Sequence, residues 1–463
     1  MNLNHINVIA RYEVKLVKRS WLFRIFAILA LLFISAIMLG YQTGIVNRMD
    51  NLWPRIAVSS LMPFCNTYFY NIAQSVIVVF LAGSFLKRDK KLDTAEVIYV
   101  RPMSNADYIV GKTWGIVKVF ITLNIITLLF TAFLNILINK SPFDLFPYLF
   151  YLLTISVPSL LFVLGLSFTA MCILKNQAVT FIVMLGIIGT VFFYLTDTLY
   201  GVFDFFGVNI PAIFSDVTGH ADLRLFLLQR FSYLLAGIGL ISMTIALVKR
   251  LPHKPWKIAV VYTFSSLFLL AACLGGLLYI LHYNHQLDLR NQYIMTFDKY
   301  ADVPHVDLLV NDISVTPQGY RLAGKSTVKV ANNNAKPLDK IIFYLNPELT
   351  VTSVEMAGKN LPFRRDHQVI EVDQPIQQQE ELTLTINYEG KISENICYTD
   401  VLTEDYLDTK VPQVFWRFGK RYAWLSNTFT LLTPECIWYP VTIAPVNPGA
   451  PYNVRKNFTD YTL

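Results

Sequence analysis

Hydrophobic and polar positions divide this chain near residue 284. Before it, seven windows (21–41, 58–86, 115–138, 145–174, 178–195, 226–248 and 258–281) each hold about 18 or more mostly apolar residues, enough for a helix to cross a hydrocarbon core. After it the period falls from 3.6 to 2. Segments 306–315, 321–331, 340–345, 350–356, 369–372 and 382–388 alternate or run β-branched. Turns are expected at Pro317-Gln318-Gly319, Asn332-Asn333-Asn334 and Gly358-Lys359-Asn360. The pattern predicts a membrane all-α part of seven transmembrane helices followed by an exported all-β, sandwich-like domain, because an odd number of spans leaves the C-terminal residues across the membrane from the N-terminus. The expected divisions are an interfacial amphipathic helix at 1–20, a six-span core at 21–250, and a linker with the seventh helix at 251–283. The β-sandwich is expected at 284–395 and a Trp/Tyr/Pro-rich extension at 396–463. The last residues, Phe458 to Leu463, read as the start of a strand with nothing to complete it, so the natural chain is expected to extend further.

Composition agrees with a membrane protein: 54% of the 463 residues are hydrophobic and the mean hydropathy is +0.44. Lys and Arg set the orientation, since they are retained on the cytoplasmic side. With the N-terminus inside, seventeen of the basic residues up to position 283 are cytoplasmic and five are external. The net charge of +7 also divides, with 22 basic against 11 acidic side chains up to residue 283 and 17 against 21 after it. The basic excess therefore belongs to a lipid surface and not to nucleic acid. A bacterial inner membrane, with the C-terminal domain in the periplasm, is the expected location.

Several local patterns add candidate sites. In residues 5–19, Ile6, Ile9, Tyr12, Leu16 and Val17 share one helical face and Arg11, Lys15 and Lys18 the other, with Glu13 intruding on the apolar side. That reads as an interfacial helix or as a merely basic tail. The connection 87–112 carries a charged run, a helix-capable piece, Pro102 and a capping Ser104, and reads as a docking loop or as a solvated basic loop. Between spans five and six, residues 199–208 are aromatic yet broken by Gly201 and Gly207, as in a re-entrant hairpin or an aromatic external loop. In the second span Asn66, Tyr70 and Gln74 recur every four residues, with Asn71 nearby; such a stripe lines a translocation path or joins helices.

No acidic or basic residue is expected mid-span, which argues against ion-coupled transport. No P-loop run and no His-Glu-x-x-His occurs, so this chain has no expected catalytic residue, metal site or cofactor of its own. His282 and His285, three apart, read as interfacial anchors. Cys65, Cys172 and Cys273 fall within spans or at their ends, whereas Cys397 and Cys436 are exported and could pair in an oxidising compartment.

Residues 5–250 resemble the permease subunits of type-2 ATP-binding-cassette exporters: a basic amphipathic start, a first span, then RDKKLDTAEVIYVRPMSNADYIVGK between spans two and three. The resemblance implies an elbow helix before the first span, carrying Arg11, Lys15 and Lys18. It also implies a loop that docks a separate ATPase, through Asp93, Glu96, Arg101, Pro102, Gly111 and Lys112. ATP and Mg would be bound by that partner, and two copies or two related subunits would form the path. A second stretch, 306–392, is similar to the N-terminal β-domain of aminopeptidase-N family metallopeptidases, including Tyr388-Glu389-Gly390, with a weaker continuation at Trp438-Tyr439-Pro440. That family's substrate loop and zinc helix do not occur in this chain. The expectation is a non-catalytic permease subunit driven by a partner ATPase. The alternatives are the membrane-anchored part of a metallopeptidase whose catalytic half lies outside this chain, and an anchor for an extracellular binding module.

Overall fold

The computed structural model describes residues 2–42, 59–83, 103–139, 143–196, 198–207, 222–248, 255–401, 422–443 and 458–463, with 210, 212, 213, 215, 216, 219, 220 and 403 between them. The chain divides into two compact units, one running through Leu281 and one holding His282–Thr409 and Lys420–Leu463.

The first unit is helical. Its elements are α1 (Leu3–Arg19), α2 (Trp21–Gln42), α3 (Leu61–Gly83), α4 (Asn105–Leu134), α5 (Leu145–Leu174), α6 (Gln177–Leu195), α7 (Leu223–Leu247) and the start of α8 (Pro255–Tyr300). Among the described residues, α3 to α8 are long and apolar enough to cross a membrane, and a seventh span is added if α1 and α2, bent by 70°, count as one. The chain is a membrane protein. Local sequence starts these helices: Asn2, Ser104, Asp144, Asn176 and Asp222 each accept a backbone N–H at the N-cap of α1, α4, α5, α6 and α7. Within α5 a π turn at Leu152–Ser156 precedes Pro158, whose ring cannot tolerate the carbonyl of an ordinary preceding turn.

Small residues bring two of these helices to backbone contact. A Cβ on Gly165 of α5 would lie 2.8 Å from Gly237 O, and one on Gly237 of α7 would lie 2.7 Å from the Leu161 carbonyl carbon. Such pairs hold helices together where lipid competes equally for apolar side chains.

The expected change of period at 284 is corrected, since α8 continues to Tyr300. Residues 282–300 contain no Gly or Pro, and Arg290, Tyr293, Thr296 and Tyr300 recur at helical spacing as the buried face within the second unit. The polar content of this stretch hides the period.

The second unit is sheet-rich. Its strands are β1 (Asp307–Gln318), β2 (Arg321–Ala331), β3 (Ile341–Tyr344), β4 (Leu349–Met356), β5 (Lys359–Asn360), β6 (Phe363–Asp366), β7 (Val369–Val372), β8 (Glu381–Gly390), β9 (Ala423–Leu425), β10 (Thr430–Leu432) and β11 (Asp460–Thr462). A six-stranded sheet runs β11-β1-β2-β8-β4-β5, and a three-stranded sheet runs β3-β7-β6. Val328, Val330, Leu384 and Ile386 from the larger sheet and Phe343, Ile370 and Val372 from the smaller share one core, all fully buried. At about 25 cal/mol per Å² of apolar area, this shared interior dominates the unit's stability.

Three details differ from expectation. The turn after β4 is Ala357-Gly358, both at positive φ, so Lys359 and Asn360 pair back onto β4 instead of forming the turn. Residues 363–366, outside the expected strands, form β6, with Arg364 and Arg365 in a strand that pairs with β7. Asp460 to Thr462 have a partner after all, lying parallel to Val310 to Asp312 of β1.

Two carboxylates brace the smaller sheet. Lys299 Nζ lies 2.6 Å from Asp366, and Lys340 Nζ 2.8 Å from Glu371, which also accepts the Tyr300 hydroxyl. The lysine hydrogen bonds, with the tyrosine adding to them, hold both carboxyls below their ordinary range. A depressed carboxyl stabilises the folded unit above its unfolded value, and that stability is lost as pH falls through the folded one. Thermal melts of the full chain from pH 6 to 3 should therefore show the sheet signal weakening below about pH 4.5, with a shallower dependence in Glu371→Gln. Equal slopes would refute the bracing role.

Candidate functional site

Helix α1 buries Ile6, Ala10, Glu13 and Val17, and exposes Arg11, Lys15 and Lys18. The expected apolar face is thus rotated: Tyr12 is 56% exposed, and Glu13 is central to the buried side. The cause lies on α4. A Cβ on Gly111 would come within 2.8 Å of Ile9 Cβ, and one on Gly115 within 2.7 Å of Glu13 Cβ, so the two glycines open the groove that α1 fills. Between them Lys112 Nζ reaches Glu13 Oε2 at 3.3 Å, with both side chains almost fully buried. A buried pair of this kind adds little net stability, but removing one partner strands the other charge at a cost of about 3–5 kcal/mol. The Asn2 N–H also donates to Asp107, which closes the capping box with Ser104 at the start of α4.

These contacts locate two residues of the expected ATPase-coupling loop. Gly111 and Lys112 face α1 of the same chain. Asp93, Glu96, Arg101 and Pro102 lie outside the described residues.

The polar stripe of α3 is buried, with Asn66, Tyr70 and Gln74 at 2% exposure or less. Asn66 donates to Thr127 Oγ1 at 3.5 Å and Tyr70 to Phe120 O at 2.8 Å, both on α4. Gln74 donates to Asn71 and to Ser156 O of α5. The stripe bonds α3 to two neighbouring helices.

Asn71 leads to a larger assembly around residues 198–207. This segment leaves the helical form at Leu199, Tyr200, Gly201 and Gly207, all at positive φ. Every carbonyl from Leu199 to Phe206 nevertheless has a donor. Backbone N–H groups of Val202 and Phe205 serve residues 199 and 203. Side chains serve the others. Tyr279 of α8 donates to Tyr200 O, Gln229 of α7 to Gly201 O and Asp204 O, and Tyr233 to Val202 O. Arg230 of α7 donates to Asp204 O and Phe205 O, Ser159 of α5 to Phe205 O, and Asn71 to Phe206 O. Non-helical backbone among apolar helices is tolerated only where protein or water satisfies it, and here protein does. Gly207 is required on its own account, because a Cβ there would run into the Arg230 guanidinium.

Sequence alone places Arg230 among the external basic residues and does not foresee its burial. Arg230 is in the second turn of α7, is 1% exposed and lies among fixed acceptors. The sequence signal was an adjacent Gln229-Arg230 pair inside an otherwise apolar run. Its position near the start of that run hid it.

A cavity of about 470 Å³ opens beside α5 and α7, with Phe143, Phe146 and Phe150 forming an apolar wall and Asp144, Asp216 and His220 the polar positions. Ser59 donates to Asp216 through both its N–H and its hydroxyl. Such a lining can hold an apolar body that carries a hydrogen-bond donor or a positive charge. In the second unit, the Sγ atoms of Cys397 and Cys436 approach to 3.5 Å. Among the described residues no group of three or more His, Cys, Asp or Glu is arranged to hold a metal ion.

No protein-family model matches the chain. No curated protein matches it either. Among solved structures, the M1 zinc metallopeptidase from Deinococcus radiodurans is similar at 23% identity over 19% of this chain and 21% of that one, with a TM-score of 0.18. A mutant form bound to a Tyr-Ser-Ala substrate gives the same values. The chain thus spans about a fifth of the length of the structures it matches. At that TM-score the likeness carries no weight for activity.

Arg230→Met should take one of the two side-chain donors from each of the Asp204 and Phe205 carbonyls, at about 1.5–3 kcal/mol for each charge-assisted hydrogen bond lost. Melting of the detergent-solubilised protein should fall accordingly, and Arg230→Lys should recover only part of the loss because a single ammonium cannot reproduce the guanidinium fork. An unchanged melt for Arg230→Met would refute this anchoring.

Proposed function

We propose that residues 1–250 form the permease core of an ATP-binding-cassette exporter, with ATP and Mg bound by a separate ATPase subunit. The observation that carries this reading is the seating of α1 on the first turns of α4 through Gly111, Gly115 and the buried Glu13–Lys112 pair. In this reading residues 87–101 contact the ATPase, with the N-terminus inside and the sheet unit outside the cytoplasmic membrane. Force delivered to that connection then reaches α4 and α1 as one piece, since α4 begins at Asn105 directly after it. The segment at 198–207 gives the core a fixed non-helical element for the moving helices to work against. Two copies, or this chain with a related subunit, would enclose the path.

Co-purification tests this directly. The intact chain should bring down a stoichiometric ATPase, and deleting residues 87–101 should abolish it. Gly115→Leu, which separates α1 from α4, should keep ATPase binding but reduce ATP hydrolysis by the complex by about tenfold or more, equivalent to about 1.4 kcal/mol of lost coupling. Recovery of the ATPase by the deletion variant would sink the reading.

A second reading rests on the sheet unit, whose two sheets occupy the stretch that resembles the aminopeptidase-N β-domain. Under it the spans anchor a metallopeptidase whose catalytic half is encoded beyond Leu463. An in-frame zinc motif downstream in the coding DNA would support it, and a stop codon after Leu463 would end it.

A further inference from the structure

In the second unit two short turns separated by 39 positions bring their cysteines together, and neither turn depends on the sulfurs to stay there. Asn346 joins them. Its amide donates to Ser393 O at 2.9 Å and to Cys436 O at 2.7 Å, while its carbonyl oxygen accepts the Ser393 N–H at 3.0 Å. Arg290, itself fully buried, holds the first turn from the other side by donating to Asn395 O, Cys397 O and Tyr398 O. Glu394 accepts the N–H groups of Tyr422 and Ala423 ahead of β9. The two sulfurs are left fully buried and 3.5 Å apart.

We infer that Cys397 and Cys436 are the site of an intramolecular disulfide, introduced by a thiol–disulfide exchange protein as the second unit folds. The inference rests on the reading that this unit is exported, since only an oxidising compartment supplies such a protein disulfide. Closing the bond needs the sulfurs to move by about 1.5 Å, to the usual separation of about 2.05 Å. The folded backbone holds both turns close enough to keep that bond once it is made. In the reaction one thiolate attacks a sulfur of the exchange protein and expels its partner thiolate, forming a mixed disulfide. The thiolate of the second cysteine then attacks the Sγ of the first and releases the exchange protein as a dithiol. The two cysteines lose two protons and two electrons, and the exchange protein gains both pairs.

The surroundings set the timing. Once the unit is closed, the Cys436 thiol and burial hold the Cys397 thiol well above its ordinary value, so the attacking thiolate is scarce and the site is shut. The bond therefore forms before closure, and afterwards protects a loop of chain that Arg290 and Asn346 already hold at both ends.

The test reads the thiols and the orientation separately. Cells expressing the full chain are lysed in denaturant with N-ethylmaleimide, which caps every free thiol. The protein is then reduced and labelled with a maleimide–polyethylene glycol. Two reduction-dependent adducts are expected in the native chain and none in Cys397→Ser or Cys436→Ser. Reduction should also lower melting of the sheet signal by roughly 5–15 °C. Orientation comes from Tyr320→Cys, at a 73% exposed turn, in a chain lacking its other cysteines, probed with a membrane-impermeant maleimide. Capped thiols with Tyr320→Cys labelled from outside would overturn the disulfide and leave the exported orientation standing. Capped thiols with Tyr320→Cys protected would overturn both. A disulfide-linked dimer in place of the intramolecular product would also overturn the inference.

Discussion

A backbone that leaves the helix among apolar neighbours has to find donors for its carbonyls, and residues 199–206 show how many elements that need can engage. Asn71, Ser159, Gln229, Arg230, Tyr233 and Tyr279 come from α3, α5, α7 and α8, and each spends a hydrogen bond on this one segment. The non-glycine residues Leu199 and Tyr200 sit at positive φ, a conformation that persists only where its surroundings over-determine it. The same donors explain why a guanidinium is acceptable here: Arg230 has fixed acceptors around it, so its burial is compensated by charge-assisted hydrogen bonds.

The seating of α1 on α4 is a second place where polar groups are buried in pairs. Glu13 would be a misplaced charge on an isolated amphipathic helix, and Lys112 a misplaced charge at the start of a span. Together they fix the rotation and register of α1 against Gly111 and Gly115, whose missing side chains let the helices approach. The proposed coupling between an ATPase and the spans depends on that rigidity. The stripe on α3 acts in the same way, tying Tyr70 and Asn66 to α4 and Gln74 to α5.

Legibility in the sequence varied with how local the cause was. β2 and β7 have the bounds that their alternation marks, because β-branched runs between clear turns carry their own period. The end of α8 was hidden, since residues 282–300 mix charges and aromatics and show their buried face only against the second unit. β6 was hidden for a related reason: Phe363 to Asp366 carry three charges in four residues, yet the Arg365 guanidinium donates to Leu345 O and Asn346 O, and burial lowers its pKa to about 10. Of the candidate site, the sequence marked the break at Gly201 and Gly207 and the stripe on α3. It gave no sign that one engages the other through Asn71.

By itself the sequence determined which stretches are apolar enough to cross a membrane, where caps such as Ser104 and Asn176 start helices, and where the chain turns to strands. These depend on composition and short-range periodicity, which act within a few residues. Only the tertiary structure decided which polar residues meet: Glu13 with Lys112, Arg230 with the carbonyls of 204 and 205, Cys397 with Cys436, and β11 with β1. Those pairings span from 25 to 150 positions along the chain. The physical reason is that a buried polar group is satisfied by whatever donor or acceptor packing brings within about 3 Å, and no local pattern encodes that distance.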